Sequence, residues 1–165
     1  MRSGVDKIVK LESKYLRIFD WIDEKVMVLK VSSFDPGNVA ELICEYEEKS
    51  ILIKLGEDNW SMPAYPDIKL TQRRINQLLG LLGTVSFSSD ISSISRVPGD
   101  ESMTEQGRYI LKDRAGEPID EIVFYTVRTG EGSASSSKSG AYGSVDINQF
   151  NQIQRYIFDL TGSSR

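Results

Sequence analysis

Two segments of this chain place apolar residues at the same helical spacing, and each segment follows a run of residues typical of β-strands. The apolar positions follow the intervals i, i+3, i+4 and i+7 in both segments. They are Ile75, Leu78, Leu79 and Leu82 in the first segment, and Ile153, Tyr156, Ile157 and Leu160 in the second. This spacing puts four side chains on one face of an α-helix. Because both apolar stripes follow strand-like runs in the sequence, we predict a duplicated β-hairpin-plus-helix unit in which each helix covers one sheet face.

The predicted fold class is α+β, with mostly antiparallel sheets of roughly seven to nine strands and two covering helices. We expect residues 1–14 to form a polar leader or short helix and residues 15–165 to form a single domain. That domain would consist of two related units, at about residues 15–97 and 98–165. A chain of 165 residues is long enough to bury such a core, because the buried fraction of the surface rises with length.

Strands are indicated by alternating or β-branched residues between turn signals. The predicted strands lie at residues 15–22, 25–32, 41–47, 50–55, 60–62, 108–113 and 118–129. The last of these is almost continuously apolar over residues 122–127, which predicts a central position in its sheet. Residues 98–106 are expected to be a loop.

The ends of both helices are also signalled. Thr71 is a predicted N-cap for the first helix, and Gly83 is placed to end it in the left-handed conformation. Asn148 is a predicted N-cap for the last helix, which should end near Thr161 and Gly162.

Residues 129–144 form a low-complexity stretch in which glycine and serine alternate with few apolar residues. Such a stretch cannot bury itself, so we expect a mobile hairpin loop that becomes ordered when a partner binds. Its predicted partner contacts are Gly132, Ser137, Lys138 and Tyr142. A phosphate-binding loop needs a glycine directly before the lysine and a helix after it. Ser137 stands in place of that glycine, directly before Lys138, so the segment is predicted to be a hairpin tip and not a phosphate-binding loop.

The chain contains no histidine. Serine and cysteine hydrolases of the usual design need an imidazole to carry the proton, and most zinc sites need imidazole or several thiolates. Cys44, the single cysteine, alternates with outward glutamates and is predicted to be a small buried hydrophobe. Paired carboxylates, lysine chemistry and carboxylate-bound Mg²⁺ or Ca²⁺ stay open, although acidic pairs such as Asp120 with Glu121 are predicted to be solvated positions at a strand edge or in a turn. We expect no enzyme activity, no catalytic residue, no cofactor and no metal.

Charge and hydropathy limit the partners. The net charge of −4 repels phosphate backbones, so we expect no nucleic-acid partner. No apolar run reaches the roughly 18–20 residues that span a bilayer, so we expect no direct membrane insertion by this chain.

Residues 34–82 follow the order strand, strand, tryptophan, proline, helix. The residues that carry this order are Phe34, Asp35, Pro36, Val39, Ile51, Leu52, Ile53, Lys54, Leu55, Trp60, Tyr65, Pro66 and Asp67, followed by Ile75, Leu78, Leu79 and Leu82. This order resembles the bacterial family of domains of unknown function found in auxiliary subunits of gliding-motility-type ABC transporters. Residues 118–160 resemble it in outline. The resemblance implies an α+β repeat domain on the outer face of a bacterial cytoplasmic membrane, without known catalytic residues, that works by protein contacts.

The expected function is a non-enzymatic interaction or scaffold domain of the bacterial cell envelope, accessory to an ABC transporter. Its partners would be proteins, membrane transporter subunits among them. Members of the family usually carry an N-terminal anchor, so the expected location is extracytoplasmic if an anchor has been removed and cytoplasmic otherwise.

Two alternatives stay open. The first is a small-ligand or carbohydrate-binding module that uses exposed aromatic residues such as Trp60, Tyr65 and Tyr125. The second is a cytoplasmic phage- or plasmid-type immunity or assembly protein. Large aromatic residues are more often used in a small core, so Trp60 is predicted to pack under the first helix.

Overall fold

The structure is a computed structural model that describes residues 19–21, 27–88, 103–127 and 130–162. The predicted leader, residues 1–14, lies outside the described residues. The described strands are β1 (Phe19–Trp21), β2 (Met27–Leu29), β3 (Glu41–Tyr46), β4 (Lys49–Leu55), β5 (Trp60–Ser61), β6 (Met103–Lys112), β7 (Pro118–Val127), β8 (Gly132–Ser136) and β9 (Ala141–Val145). The described helices are α1 (Gln72–Gly83), α2 (Ile147–Thr161) and a 3₁₀ turn at Pro36–Asn38.

Seven of these strands form one antiparallel sheet in the order β5-β4-β3-β6-β7-β8-β9, and β1 pairs with β2. This architecture confirms the predicted α+β class with mostly antiparallel strands and two helices. β7 is an interior strand, as its apolar sequence predicts. In the middle of the sheet β3 pairs with β6, which joins the strands of residues 15–97 to those of residues 98–165. The division into two related units stays a prediction.

Alternation along the strands decides which side chains point inward. In β3 Leu42, Cys44 and Tyr46 are buried, and the residues between them are half-buried. The pairing register places Leu42 beside Ile53 of β4 and beside Leu111 of β6. Because neighbouring inward residues align across the strands, the sheet has one continuous apolar face.

Both helices pack against that one face. Their buried stripe residues are Ile75, Leu78, Leu79, Leu82, Ile153, Ile157 and Leu160, and Tyr156 of the second stripe is half-buried. A single core cluster contains these residues together with the inward residues of the strands. The Tyr156 hydroxyl donates to the carbonyl oxygen of Arg74 at 3.0 Å and joins α2 to α1. None of the helices in the described residues has the length and hydropathy of a membrane span.

Trp60 and Cys44 belong to this core, as predicted. Trp60 is 6% exposed, and its indole Nε1 donates to Oε1 of Gln72 at 2.9 Å. Cys44 is fully buried, and burial raises the pKa of its thiol above the usual range. A thiol of this kind stays protonated and packs as an apolar group.

The prediction of a mobile loop at residues 129–144 is wrong for the described residues. Residues 132–136 form β8, all five of them buried, and residues 141–145 form β9. A Cβ added to Gly132 would lie 3.0 Å from the carbonyl oxygen of Val145, and one added to Gly143 would lie 2.9 Å from the ring of Phe87. Small side chains therefore let neighbouring groups approach closely and bury the segment. The low apolar content of the segment does not indicate this.

Three boundaries also differ from the predictions. Gly83 is the last residue of α1 and does not take a positive φ, and Thr84 forms the C-cap. Asp146 caps α2 in place of Asn148, because its carboxylate accepts from the Asn148 N–H at 2.9 Å. Residues 103–106 belong to β6, which stays paired with β7 across a β-bulge at Gln106. The Thr71 cap and the end of α2 near Thr161 and Gly162 are confirmed, and Gly162 takes the left-handed conformation.

Candidate functional site

The four predicted partner contacts do not form one site. Ser137 and Lys138 are exposed in the turn between β8 and β9. Gly132 is buried at the opposite end of β8. Tyr142 is 9% exposed, and its hydroxyl donates to the Ser133 Oγ at 3.0 Å. Only Ser137 and Lys138 are therefore placed together where a partner could reach them.

A buried carboxylate organises the turn that carries Ser137 and Lys138. Asp120 is 1% exposed. Its oxygens accept from the backbone N–H of Glu121 at 2.8 Å and of Lys138 at 3.0 Å. They also accept from the hydroxyl of Ser136 at 2.8 and 2.9 Å, and from the hydroxyl of Ser32. The carboxylate thus joins β7, the β8–β9 turn and the segment before β3.

The sequence interpretation of Asp120 as a solvated edge residue is wrong. Asp120 has the same parity along β7 as Ile122 and Phe124, which are both fully buried. That alternation was the available signal, and the neighbouring Glu121 concealed it because Glu121 points the other way and is half-buried. The oxygens of Asp120 are occupied by donors of the fold itself, so the arrangement stabilises the turn and leaves no lone pair directed at a substrate.

Lys138 also lines a cleft at this end of the sheet. The cleft has a volume of about 390 Å³, and its charged lining residues are Asp35, Asp113, Arg114 and Lys138. The Lys138 ammonium donates to the carbonyl oxygen of Ser33 at 2.9 Å. Two acidic and two basic residues balance in charge, so the cleft does not favour a ligand of either sign.

On the side of the sheet turned away from the helices, Val123, Ser133, Ser135 and Tyr142 of β7–β9 are buried. The rest of that side presents a different surface, which we call the open face. Its residues on β4, β3, β6 and β7 include Ser50, Leu52, Lys54, Glu41, Ile43, Glu45, Arg108, Ile110, Lys112 and Glu121. Ile43 pairs with Leu52 on one side and with Ile110 on the other. These three side chains are half-buried and do not belong to the core cluster. They form an apolar row across three strands, because paired residues of an antiparallel sheet lie within contact distance.

Charged residues border this apolar row on both sides. On one side the Lys112 ammonium lies 2.8 Å from a carboxylate oxygen of Glu41, and both side chains are less than a third exposed. On the other side Arg108 binds Glu105 through Nη2 at 2.8 Å and also pairs with Glu121. Glu45 lies farther from the same guanidinium, at 3.8 Å.

The carboxylates hold Arg108 in its charged form. Its pKa lies above the usual range, first because of the hydrogen bond to Glu105 and then because of the charges of Glu105, Glu121 and Glu45. Three carboxylates around one guanidinium leave this border of the open face acidic. The alternation of residues 41–47 predicted the outward glutamates, but only the tertiary structure brings Arg108 between them.

The aromatic residues of the carbohydrate-binding alternative do not form a shared surface. Trp60 is buried at one edge of the sheet, in β5, whereas Tyr125 is half-buried in β7 and has an edge-to-face contact with Tyr142 at 6.3 Å. A sugar-binding platform needs an exposed aromatic ring, and Trp60 does not supply one.

Comparisons with family models, with curated proteins and with solved structures find no match to this chain. Among the described residues, no group of three or more histidine, cysteine, aspartate or glutamate side chains is arranged to hold a metal ion. The open face is the candidate site that the geometry itself supplies.

Proposed function

We propose that this chain is a non-enzymatic interaction domain that binds a protein partner through its open face. The apolar row of Ile43, Leu52 and Ile110 carries the proposal. The row lies on the face opposite both helices, and charged residues border it. An apolar centre with a polar rim is the usual composition of a protein–protein interface.

The shape of the open face favours a protein partner over a small ligand. A ligand pocket is concave and encloses most of its ligand, whereas the open face is the surface of a sheet. Charged residues at the border of an interface discriminate between partners more than they add affinity.

A narrower proposal concerns where the domain works. We propose that it is a scaffold domain of the bacterial cell envelope, accessory to an ABC transporter. The resemblance of residues 34–82 supports it. That segment contains β3, β4, the buried Trp60, then Pro63 and Pro66, and then α1, in the order that the resemblance describes.

Site-specific photocrosslinking tests the interaction surface. A photoreactive benzoylphenylalanine replaces Ile43 on the open face, and a matched variant carries it at the exposed Gln152 of α2. On irradiation of cells that express the full-length gene, we expect one discrete protein adduct from position 43 and none from position 152. Loss of this adduct in an Ile110→Lys background would show that the neighbouring side chain belongs to the same interface.

The absence of any adduct from position 43, or the same adducts from both positions, would contradict the interaction surface. Mass spectrometry of the adduct then tests the narrower proposal. A transporter subunit in the adduct supports it, and a partner unrelated to membrane transport overturns it without affecting the interaction surface.

A further inference from the structure

Another cleft lies beside the charge-balanced one and shares Val39 and Arg114 with it. Its volume is about 520 Å³, within the roughly 300–1,000 Å³ that small-molecule sites usually have. We call it the Trp60 cleft, and its lining includes Val39, Leu55, Trp60, Gln72, Asn76 and Arg114. None of these residues belongs to the open face, so the cleft is separate from the proposed interaction surface.

One wall of the Trp60 cleft is apolar. Val39 and Trp60 are buried there, and Leu55 is half-buried. The pairing of β4 with β5 sets Leu55 opposite Trp60, and paired side chains of an antiparallel sheet lie within contact distance. An apolar group of a ligand would leave water on contact with this wall, which is favourable.

A chain of hydrogen bonds fixes the polarity of the wall that α1 contributes. The indole Nε1 of Trp60 donates to Oε1 of Gln72 at 2.9 Å, and Nε2 of Gln72 donates to Oδ1 of Asn76 at 2.8 Å. An indole N–H can only donate, so it dictates the orientation of both amides. The amino group of Asn76 is therefore the free end of the chain, and it has no acceptor among the residues that the structure describes. The cleft presents a hydrogen-bond donor at this point.

Arg114 adds a positive charge to the same cleft. Its side chain is exposed and forms no ion pair within the described part of the chain. Asp35 and Asp113 of the neighbouring cleft each accept from backbone N–H groups of their own turns, at 2.8 to 2.9 Å. No described acidic residue lines the Trp60 cleft. In a chain with a net charge of −4, the cleft therefore favours an anion.

We propose that the Trp60 cleft binds a small carboxylic acid with an apolar body. The guanidinium of Arg114 and the amino group of Asn76 can only donate, and a carboxylate supplies the acceptors that both need. The guanidinium also matches a carboxylate in geometry as well as in charge. The wall of Val39, Leu55 and Trp60 contacts the apolar body. This site goes beyond the protein contacts of the open face and does not depend on them.

NMR titration with matched ligands tests the site. The ligands are phenylacetate and cyclohexylacetate, and each is compared with its neutral carboxamide. Titration into isotope-labelled protein at neutral pH should move the indole N–H resonance of Trp60 and the side-chain amide resonance of Asn76. We expect roughly millimolar dissociation constants for the acids, as ligands of this size usually have, and binding of the carboxamides that is about three-fold weaker or more.

Three substitutions identify the groups that bind the carboxylate. Arg114→Gln should remove the preference for the acid over its carboxamide. Asn76→Asp keeps the acceptor for Gln72 but replaces the donor by a negative charge, so it should abolish binding of the acids. Arg155→Gln repeats the first change on α2, outside the cleft, and should leave the affinity unchanged. All three positions are exposed, so the resonances of core residues should coincide with those of the wild type.

Each outcome decides the inference. Failure of both acids to move the Trp60 and Asn76 resonances overturns the site. Equal affinity for an acid and its carboxamide, or wild-type affinity for the acids in Arg114→Gln, overturns the anionic ligand. The photocrosslink from position 43 is a separate result, because that position lies on the open face.

Discussion

Replacing Asp120 by alanine should destabilise the fold more than any other carboxylate truncation among the described residues. The carboxylate is 1% exposed and accepts from two backbone N–H groups and from the hydroxyls of Ser32 and Ser136. The two serines are each 2% exposed, so water cannot replace the lost acceptor without entering the core.

The expected loss follows from the number of stranded donors. The Glu121 N–H keeps a second acceptor, the Ser137 Oγ at 2.9 Å, which leaves the Lys138 N–H and the two buried hydroxyls. A buried donor without a partner costs about 1–3 kcal/mol, and hydroxyls recover part of this by turning to other acceptors. We expect Asp120→Ala to lower the free energy of unfolding by about 3–5 kcal/mol, a large share of the roughly 5–15 kcal/mol of a typical domain.

Urea unfolding followed by circular dichroism measures this loss. With a slope of about 2 kcal/mol per molar urea, the midpoint should fall by about 2 M. Asp113→Ala is the matched control, because Asp113 also accepts from two backbone N–H groups, at 2.8 and 2.9 Å, but does so in an exposed turn. The control should lose about 1 kcal/mol or less, since water replaces the carboxylate. Equal losses in the two variants, or a loss below 1 kcal/mol for Asp120→Ala, would refute the reasoning.

Four further predictions concern the core and the hairpin turns. Gly107→Ala should lower the free energy of unfolding by about 1–3 kcal/mol in urea, because the new Cβ would lie 2.8 Å from the ring of Phe150; an unchanged midpoint would contradict this. Glu47→Asn should raise thermal stability by about 0.5–1 kcal/mol, because Glu47 has a φ of 53° and asparagine tolerates that conformation better; a lower melting temperature would count against it. Tyr109→Phe should raise stability by about 1 kcal/mol in urea, since the fully buried Tyr109 hydroxyl has no hydrogen-bond partner among the described residues; a destabilised variant would reveal a partner. Burial, first of all, raises the pKa of Tyr46 from 10.0 to about 12, so the folded state holds this proton more tightly than the unfolded state. The stabilisation that comes from keeping Tyr46 protonated is therefore complete below pH 10 and is lost as the pH rises towards about 12. Absorbance titration of tyrosinate should show a group that titrates late and that Tyr46→Phe removes. Titration of that group near pH 10 in the folded protein would contradict the prediction.

Much of the local structure was predictable because it depends on residues near one another in the chain. The stripe from Ile75 to Leu82 and the Thr71 cap lie within α1 itself, and the structure confirms both. Alternation likewise predicted β3 and the outward glutamates of the open face. The helix boundaries were less predictable, because Asp146 and Asn148 are both good N-caps and only the backbone geometry selects the first.

The candidate site was only half predictable, since the sequence supplies residues but not neighbours. Ile43, Leu52 and Ile110 each belonged to a predicted strand, yet the apolar row exists only because β3 lies between β4 and β6. The residues predicted as partner contacts came from low complexity in residues 129–144. That composition is typical of flexibility in an isolated chain, whereas here neighbouring elements bury residues 132–136 of the segment.

By itself, then, the sequence determined the α+β class, the two helical stripes, the buried Trp60 and the exclusion of imidazole chemistry, because each depends on periodicity or on residue type alone. The tertiary structure alone decided that both helices cover one face, that the other face stays uncovered by them, and that Asp120 is buried. Asp120 meets Ser32 across 88 positions of the chain. Contacts at that separation depend on how the strands are ordered in the sheet, and strand order is a property of the whole fold that no local pattern encodes.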